Sequence, residues 1–173
     1  MTRLEKATHV ALIVVCCIAT YVLISQRTNW FRPGPRPPVR VGQRLDLPGE
    51  RWASAPMTLV LAINSQCRFC EESLPLYRKL CGSRGSPPRV AYRVIAVSEE
   101  PWQSLAGFLH RNGLGVDAVV STPLDRLGIR GTPTVLVADS AGVVRSIFIG
   151  KLAEAREGAL IKAVEASCTG CGR

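Results

Sequence analysis

The stretch MTLVLAINSQCRFCEESLPLYRKL, residues 57–80, constrains the fold more than any other part of the sequence. It opens with the continuous apolar run Met57–Asn64, which predicts a strand buried on both faces of a sheet. After Cys70, apolar residues recur up to Leu80 with the spacing of an amphipathic helix. The chain therefore predicts a buried strand that leads directly into a helix, with Cys67 and Cys70 at the junction.

The rest of the chain alternates strand-type and helix-type patterns. Arg89–Ser98 predicts a second strand, Glu99–Gly113 a helix, and the residues VDAVVS (116–121) a short third strand. Thr134–Gly150 predicts two strands joined by a turn at DSAG, and Leu152–Ser167 predicts the last helix. Parallel strands need helical crossovers, and a hairpin adds antiparallel strands. This order predicts an α/β domain with a central mixed β-sheet flanked by helices.

The position of the two cysteines suits thiol–disulfide exchange. At a helix N-terminus, free backbone N–H groups and the helix dipole would stabilise a thiolate on Cys67. Arg68 adds a positive charge beside it, so we expect Arg68 and Phe69, the two intervening residues, to tune the pair. Cys70 lies one turn further in and is expected to resolve the mixed disulfide formed by Cys67.

Two other roles compete with exchange. A structural zinc ion needs four ligands, and a second pair, Cys168 and Cys171, lies in the tail SCTGCGR. A static disulfide in a non-enzymatic binding module is the third role. The junction of strand and helix favours exchange, with no metal and no cofactor beyond a redox-active disulfide between Cys67 and Cys70. For Cys168 and Cys171, an idle terminal disulfide, an accessory dithiol that relays electrons and a metal-binding tail all remain open.

At this point the sequence resembles the thioredoxin-like superfamily. CRFCEESLP is similar to the active-site motif of that family, including Pro75 shortly after the second cysteine. LGIRGTPTVLVAD (Leu127–Asp139) is similar to its second landmark, a cis-proline that faces the cysteine pair. The resemblance implies that Pro133 is this cis-proline and that Thr132 and Pro133 position the substrate. It spans about residues 41–167 and implies a thioredoxin fold with thiol–disulfide oxidoreductase activity.

Three positions depart from the family pattern. Leu61 stands where many thioredoxins carry a buried acid, and Gln66 replaces the usual aromatic residue before the first cysteine. The intervening dipeptide is Arg68-Phe69 rather than Gly-Pro. The closer resemblance is to membrane-anchored thioredoxin-like proteins of the bacterial cell envelope, which implies protein thiols and disulfides as partners. A positive charge at Arg68 favours the thiolate and so a more oxidising pair.

The N-terminus predicts a membrane anchor. After a short tail, residues 1–7, residues 8–26 contain an uncharged stretch of about 18 residues, near the lower limit for a spanning helix. A cleaved signal peptide is the alternative, although no Ala-x-Ala site follows the stretch. A Pro/Arg-rich linker at 27–40, the domain at 41–167 and the cysteine-containing tail at 168–173 complete the predicted organisation.

The net charge of +9 fits a membrane surface better than nucleic acid. Many of the arginines lie between Arg27 and Arg51, beside the apolar segment, and no nucleic-acid-binding motif is present. Lys and Arg prefer the cytoplasmic side, but basic residues occur on both sides of the segment. On the family resemblance, we expect a single-pass protein of the inner or plasma membrane with an extracytoplasmic (periplasmic) domain.

Overall fold

The computed structural model describes residues 12–21, 37–82 and 92–169. Residues 12–21 form a helix, α1, whose side chains are all exposed. Within the described residues, no helix is both long enough and apolar enough to cross a membrane. The two ends of the predicted anchor (8–26), most of the predicted linker and Cys171 lie outside the described ranges.

A five-stranded mixed sheet forms the centre of the domain. Its strands are β1 (Met57–Ala62), β2 (Arg93–Ser98), β3 (Ala118–Ser121), β4 (Thr134–Asp139) and β5 (Val144–Ile149). The order across the sheet is β3-β2-β1-β4-β5. β1, β2 and β3 run parallel, whereas β4 is antiparallel to both β1 and β5. This confirms the predicted mixed sheet with a C-terminal hairpin.

Both faces of the sheet are covered, which is why β1 is apolar at almost every position. The cysteine face is the one whose core contains Cys70, Leu61, Tyr77 and Leu105. The opposite face carries a second core that includes Trp52, Val60, Leu124, Ile129 and Leu136. Each residue of β1 is buried, so the continuous apolar pattern reflects burial on two sides.

In the described part of the domain, four helices flank the sheet in addition to two short 3-10 helices. They are α2 (Arg68–Glu72), α3 (Leu74–Gly82), α4 (Trp102–Arg111) and α5 (Glu154–Thr169). The 3-10 helices span Trp52–Ser54 and Leu124–Leu127. Buried residues of α3 and α4, together with Leu160 and Val164 of α5, pack on the cysteine face.

The helix after Cys70 is divided in two, which the continuous apolar periodicity did not predict. The break lies at Ser73, whose N–H still donates to the carbonyl of Phe69 at 3.1 Å. Two residues later, Pro75 has no N–H to donate to the carbonyl of Glu71, so one helical hydrogen bond is lost. The break separates the turn that carries the cysteines from the longer helix that packs on the sheet.

The chain preceding residue 41 contacts the domain near Gly128. The N–H of Val39 donates to the carbonyl of Gly128 at 3.0 Å, and Val39 packs against the core of the opposite face. Gly128 has φ of +70°, a conformation that favours glycine. This contact joins the end of the predicted linker to the loop that leads into β4.

Candidate active site

Cys67 lies at the N-terminus of α2, at the edge of the sheet where β1 ends. β1 is followed by a tight turn in which the N–H of Gln66 donates to Oδ1 of Asn64 at 2.8 Å. The N–H of Cys67 then donates to the carbonyl of Asn64 at 3.2 Å. Cys67 has extended backbone geometry (φ −87°, ψ 111°) and occupies the N-cap position. The first helical N–H groups therefore lie next to its sulfur.

The two cysteines differ in exposure and in acidity. Partial burial is the largest single effect and raises the pKa of the Cys67 thiol, whereas hydrogen bonds from the Thr132 side chain and the Cys70 thiol lower it. The backbone N–H groups of Cys70 and Phe69 act in the same direction, so the pKa lies below that of an ordinary thiol. Cys70 is fully buried, and burial raises its pKa to about 12. Both thiols are free in the structure.

The loop before β4 brings Thr132 and Pro133 against the cysteine pair. The Thr132–Pro133 peptide bond is cis. The thiol of Cys67 donates to the carbonyl oxygen of Thr132 at 3.5 Å. On the far side of the loop, the N–H of Gly150 donates to the carbonyl of Pro133 at 2.7 Å. The structure thus places next to Cys67 two residues that are 65 or more positions away in the sequence.

A carboxylate that the sequence analysis did not single out holds the turn before Cys67. Glu100 accepts hydrogen bonds from the N–H and the hydroxyl of Ser65, both at 2.6 Å, and from the hydroxyl of Ser104 at 3.1 Å. Burial raises the pKa of Glu100, but these hydrogen bonds outweigh it and leave the pKa low. The signal that could have found it is positional, because β1 and β2 are parallel neighbours and their C-terminal ends share one edge.

The two residues between the cysteines both face solvent. The side chain of Arg68 is 85% exposed, and its Nε bonds to Oε1 of Glu72 at 2.8 Å. Nζ of Lys151 bonds to Oε2 of the same carboxylate at 2.8 Å. Hydrogen bonds from Lys151 and from Arg68 lower the pKa of Glu72. Phe69 is 55% exposed, so an apolar ring lies on the surface between the two cysteines.

The overall arrangement matches solved structures, although no protein-family profile and no curated protein sequence matches the chain. The thioredoxin domain of a thiol-disulfide oxidoreductase from Bacteroides vulgatus aligns with a TM-score of 0.55 at 15% identity, over 73% of this chain and 99% of that one. A thioredoxin-family thiol:disulfide interchange protein from Chlorobium tepidum gives 0.55 at 17% identity, over 73% and 97%. A thiol:disulfide interchange protein from Bacteroides sp. gives 0.52 at 14%, over 75% and 89%.

The chain has a thioredoxin-like fold. At these identities the likeness shows the fold, and it confirms the fold class expected from the two sequence motifs. The likeness assigns no role to Cys67, Cys70, Thr132 or Pro133, and the roles expected of them stay predictions.

Within this thioredoxin-like fold, the position of the usual buried acid is apolar. Leu61 is fully buried and belongs to the same core as Cys70. Tyr77 is also buried there, and burial raises the pKa of its hydroxyl. The buried polar residues among those that the structure describes are serines and threonines, and none is a carboxylate. The high pKa of Cys70 follows from these apolar surroundings.

We expect Glu72→Gln to shift the reactivity of Cys67 to lower pH. The change removes a negative charge that pairs with Arg68, and the unbalanced guanidinium at the start of α2 then favours the thiolate. Alkylation of Cys67 by a small iodoacetamide-type reagent, followed by peptide mass spectrometry between about pH 5 and pH 8, measures the effect. At pH values below the midpoint of the alkylation profile, we expect the alkylation rate of Cys67 to rise on the order of twofold. This is the size expected of one solvent-screened charge pair.

The matched control for this experiment is Glu71→Gln. It removes the same charge one residue earlier, from an exposed side chain that makes no hydrogen bond or ion pair with any residue the structure describes. An equal shift in both variants would mean that only net charge matters, which contradicts a specific role for the pair between Arg68 and Glu72.

Cys168 and Cys171 are the remaining predicted site residues. Cys168 falls within α5, and Cys171 is outside the described residues. In the part of the chain that the structure describes, no group of three or more His, Cys, Asp or Glu side chains could hold a metal ion. The accessory-dithiol and four-cysteine hypotheses stay predictions.

Proposed function

We propose that the protein is a thiol–disulfide oxidoreductase that exchanges electrons with cysteine-containing proteins through Cys67 and Cys70. One observation carries the proposal: a partly exposed thiol of lowered pKa lies beside a buried thiol whose pKa is raised to about 12. Such a difference separates an attacking sulfur from a resolving sulfur. The carbonyl of Thr132 next to Cys67 supports the same assignment.

The two steps follow from this asymmetry. In reduction of a substrate, the Cys67 thiolate attacks a substrate disulfide, forms an intermolecular S–S bond and releases one substrate sulfur as a thiolate that takes up a proton. Cys70 then loses its proton and attacks the Cys67 sulfur, which releases the second substrate thiol and leaves a disulfide in the protein. Two electrons pass to the substrate, and oxidation of a substrate dithiol runs through the same steps in reverse.

The structure supplies a reason for Cys70 to act only in the second step. The charge on Cys67 contributes to the raised pKa of Cys70. Once Cys67 is bound in a mixed disulfide, that charge is gone, so the pKa of Cys70 falls and its thiolate forms more readily. The order of events is thereby linked to the state of the first sulfur.

The Thr132–Pro133 segment is the proposed docking edge for the substrate. An extended substrate segment can pair with the exposed backbone of such a loop, as in β-strand addition. The carbonyl of Thr132 lies 3.5 Å from the Cys67 sulfur, so a substrate cysteine paired at this edge would lie next to the nucleophile. Phe69 offers an exposed apolar surface beside it.

Anchoring of the domain to the inner or plasma membrane, with the active site on the extracytoplasmic side, is also part of the proposal. It is supported by the uncharged segment within residues 8–26, which includes α1. A phosphatase reporter fused after Arg173 should be active outside the cytoplasm. A fusion active only in the cytoplasm would contradict this orientation.

The function is tested by equilibration of the full chain with a protein disulfide. We expect the reduced protein to reduce the disulfides of a model protein, or the oxidised protein to oxidise its dithiols, with one disulfide exchanged per Cys67–Cys70 pair. Acid quenching and mass spectrometry follow both partners. A protein whose cysteines form a stable disulfide but which exchanges with no protein thiol would instead be the non-enzymatic binding module.

A further inference from the structure

A pocket of about 200 Å³ is lined in part by Gly131 and Thr132, the residues just before Pro133. Its walls include Asn64 at the end of β1, Glu99 beyond the end of β2, and the residues from Ile129 to Thr132. Leu124 and Ile129 line it and belong to the core of the opposite face, whereas Cys70 belongs to the core of the cysteine face. The pocket therefore borders the Thr132 segment that Cys67 contacts, and its wall of Leu124 and Ile129 belongs to the face opposite to that of Cys70.

This placement matters for a substrate that binds as an extended strand. Successive side chains of a strand point to opposite faces. If a substrate cysteine at the Thr132 edge points towards Cys67, the residues immediately before and after it point towards the pocket. This step rests on the proposed function, since it assumes exchange through Cys67.

The charged groups of the pocket indicate which side chain it would accept. Oε1 of Glu99 already accepts a hydrogen bond from the N–H of Leu124 at 3.0 Å, and Oδ1 of Asn64 accepts from Gln66. Arg130 is exposed, and its guanidinium makes no hydrogen bond or ion pair with any residue the structure describes. Of the two charged side chains that line the pocket, Arg130 is therefore the one that has no hydrogen-bond or ion-pair partner among the described residues.

We infer that this pocket is a specificity subsite, in which Arg130 binds an acidic side chain next to the reactive cysteine of the substrate. A guanidinium presents paired N–H donors that match a carboxylate. The site is open to solvent, so its contribution is modest, roughly a three- to fivefold preference in exchange rate. Glu99, on another wall of the pocket, repels an acidic side chain. The competing outcome is therefore a preference for a basic residue next to the substrate cysteine.

The experiment uses three peptide disulfides that differ only beside the cysteine. Each is a homodimer of one peptide with the core Glu-Cys-Glu, Gln-Cys-Gln or Lys-Cys-Lys, and the reduced full-length protein reduces it to two thiols. Single-turnover rates at low ionic strength should fall in the order Glu, Gln, Lys. Arg130→Gln should remove the advantage of the Glu peptide over the Gln peptide, and Arg130→Glu should reverse the order.

Arg156→Gln is the matched control, because it removes the same charge from an exposed position on α5. The inference fails if the wild-type protein prefers the Lys peptide, if it shows no preference, or if Arg156→Gln acts like Arg130→Gln. If no peptide is exchanged at all, the proposed function fails, and the subsite is then judged by equilibrium binding of the same peptides with serine for cysteine. Tighter binding of the Glu form that Arg130→Gln removes supports the subsite; equal binding overturns it.

Discussion

Cys67→Ser is expected to abolish thiol–disulfide exchange, whereas Cys70→Ser is expected to accumulate covalent complexes with substrate. The first change removes the thiolate that starts the reaction, so the rate should fall on the order of a thousandfold or more. The second leaves Cys67 and its hydrogen bond to Thr132 in place but removes the resolving sulfur. Non-reducing electrophoresis after quenching with acid, followed by mass spectrometry of the linked peptides, identifies which cysteine holds the substrate.

Cys81→Ser is the matched control for both variants. Cys81 is partly buried in α3, and it packs against the core of the cysteine face. The same substitution there tests whether loss of any thiol, or a general loss of stability, accounts for the result. Mixed disulfides through Cys70 in the Cys67→Ser protein would mean that the roles of the two sulfurs are reversed. Normal exchange in Cys67→Ser would contradict the proposed function.

Local sequence patterns predicted the mixed sheet with flanking helices because the sheet is buried on both sides, whereas the thioredoxin fold was implied only by the family resemblance. A continuous apolar run as short as β1 is typical of a strand covered on both faces, and the turn at residues 139–142 makes the last two strands a hairpin. The motifs around Cys67 and Pro133 occur along the chain in the same order as in the family that they resemble. In the folded chain these two motifs lie next to each other, as their resemblance to the thioredoxin-like superfamily implied.

The polar contacts around the site could not be predicted in the same way. Glu100 and Ser65 are 35 residues apart, and Lys151 and Glu72 are 79 apart. Such pairs depend on loop conformation and on which strand ends share an edge, and neither leaves a periodic pattern in the sequence. The break at Ser73 leaves no trace in the apolar spacing, since one proline removes a hydrogen bond without disturbing it, but the family resemblance implied a kink of this helix at Pro75.

The same limit applies to Arg68. Its sequence position beside Cys67 suggested a direct effect on the thiolate, but the structure pairs its guanidinium with Glu72 one turn along the helix. The lowered pKa of Cys67 arises from hydrogen bonds with Thr132, Cys70 and backbone N–H groups. That Arg68 tunes the pKa of Cys67 stays a prediction. The Glu72→Gln experiment measures how far the Glu72 carboxylate offsets the charge of Arg68 at Cys67.

Gly128, five residues before Pro133, makes a close backbone contact with residues 37–39. A Cβ atom added at Gly128 would lie 2.6 Å from the N atom of Val39 and 2.7 Å from the carbonyl oxygen of Pro37. These are backbone atoms, so a rotamer change cannot relieve the overlap. The left-handed conformation at φ +70° adds a cost of about 1–2 kcal/mol for any residue with a Cβ.

Gly128→Ala is therefore expected to lower the free energy of unfolding by about 2–4 kcal/mol, because steric overlap adds to the backbone penalty. Gly113→Ala isolates the backbone penalty, since Gly113 has φ +67° and a Cβ there would have no atom within 4 Å. Its expected loss is about 1–2 kcal/mol, the backbone penalty alone. Urea unfolding of both variants, followed by tryptophan fluorescence, gives the two free energies. Equal losses would mean that residues 37–39 move away at little cost, and that their contact with Gly128 does not stabilise the loop that carries Thr132 and Pro133.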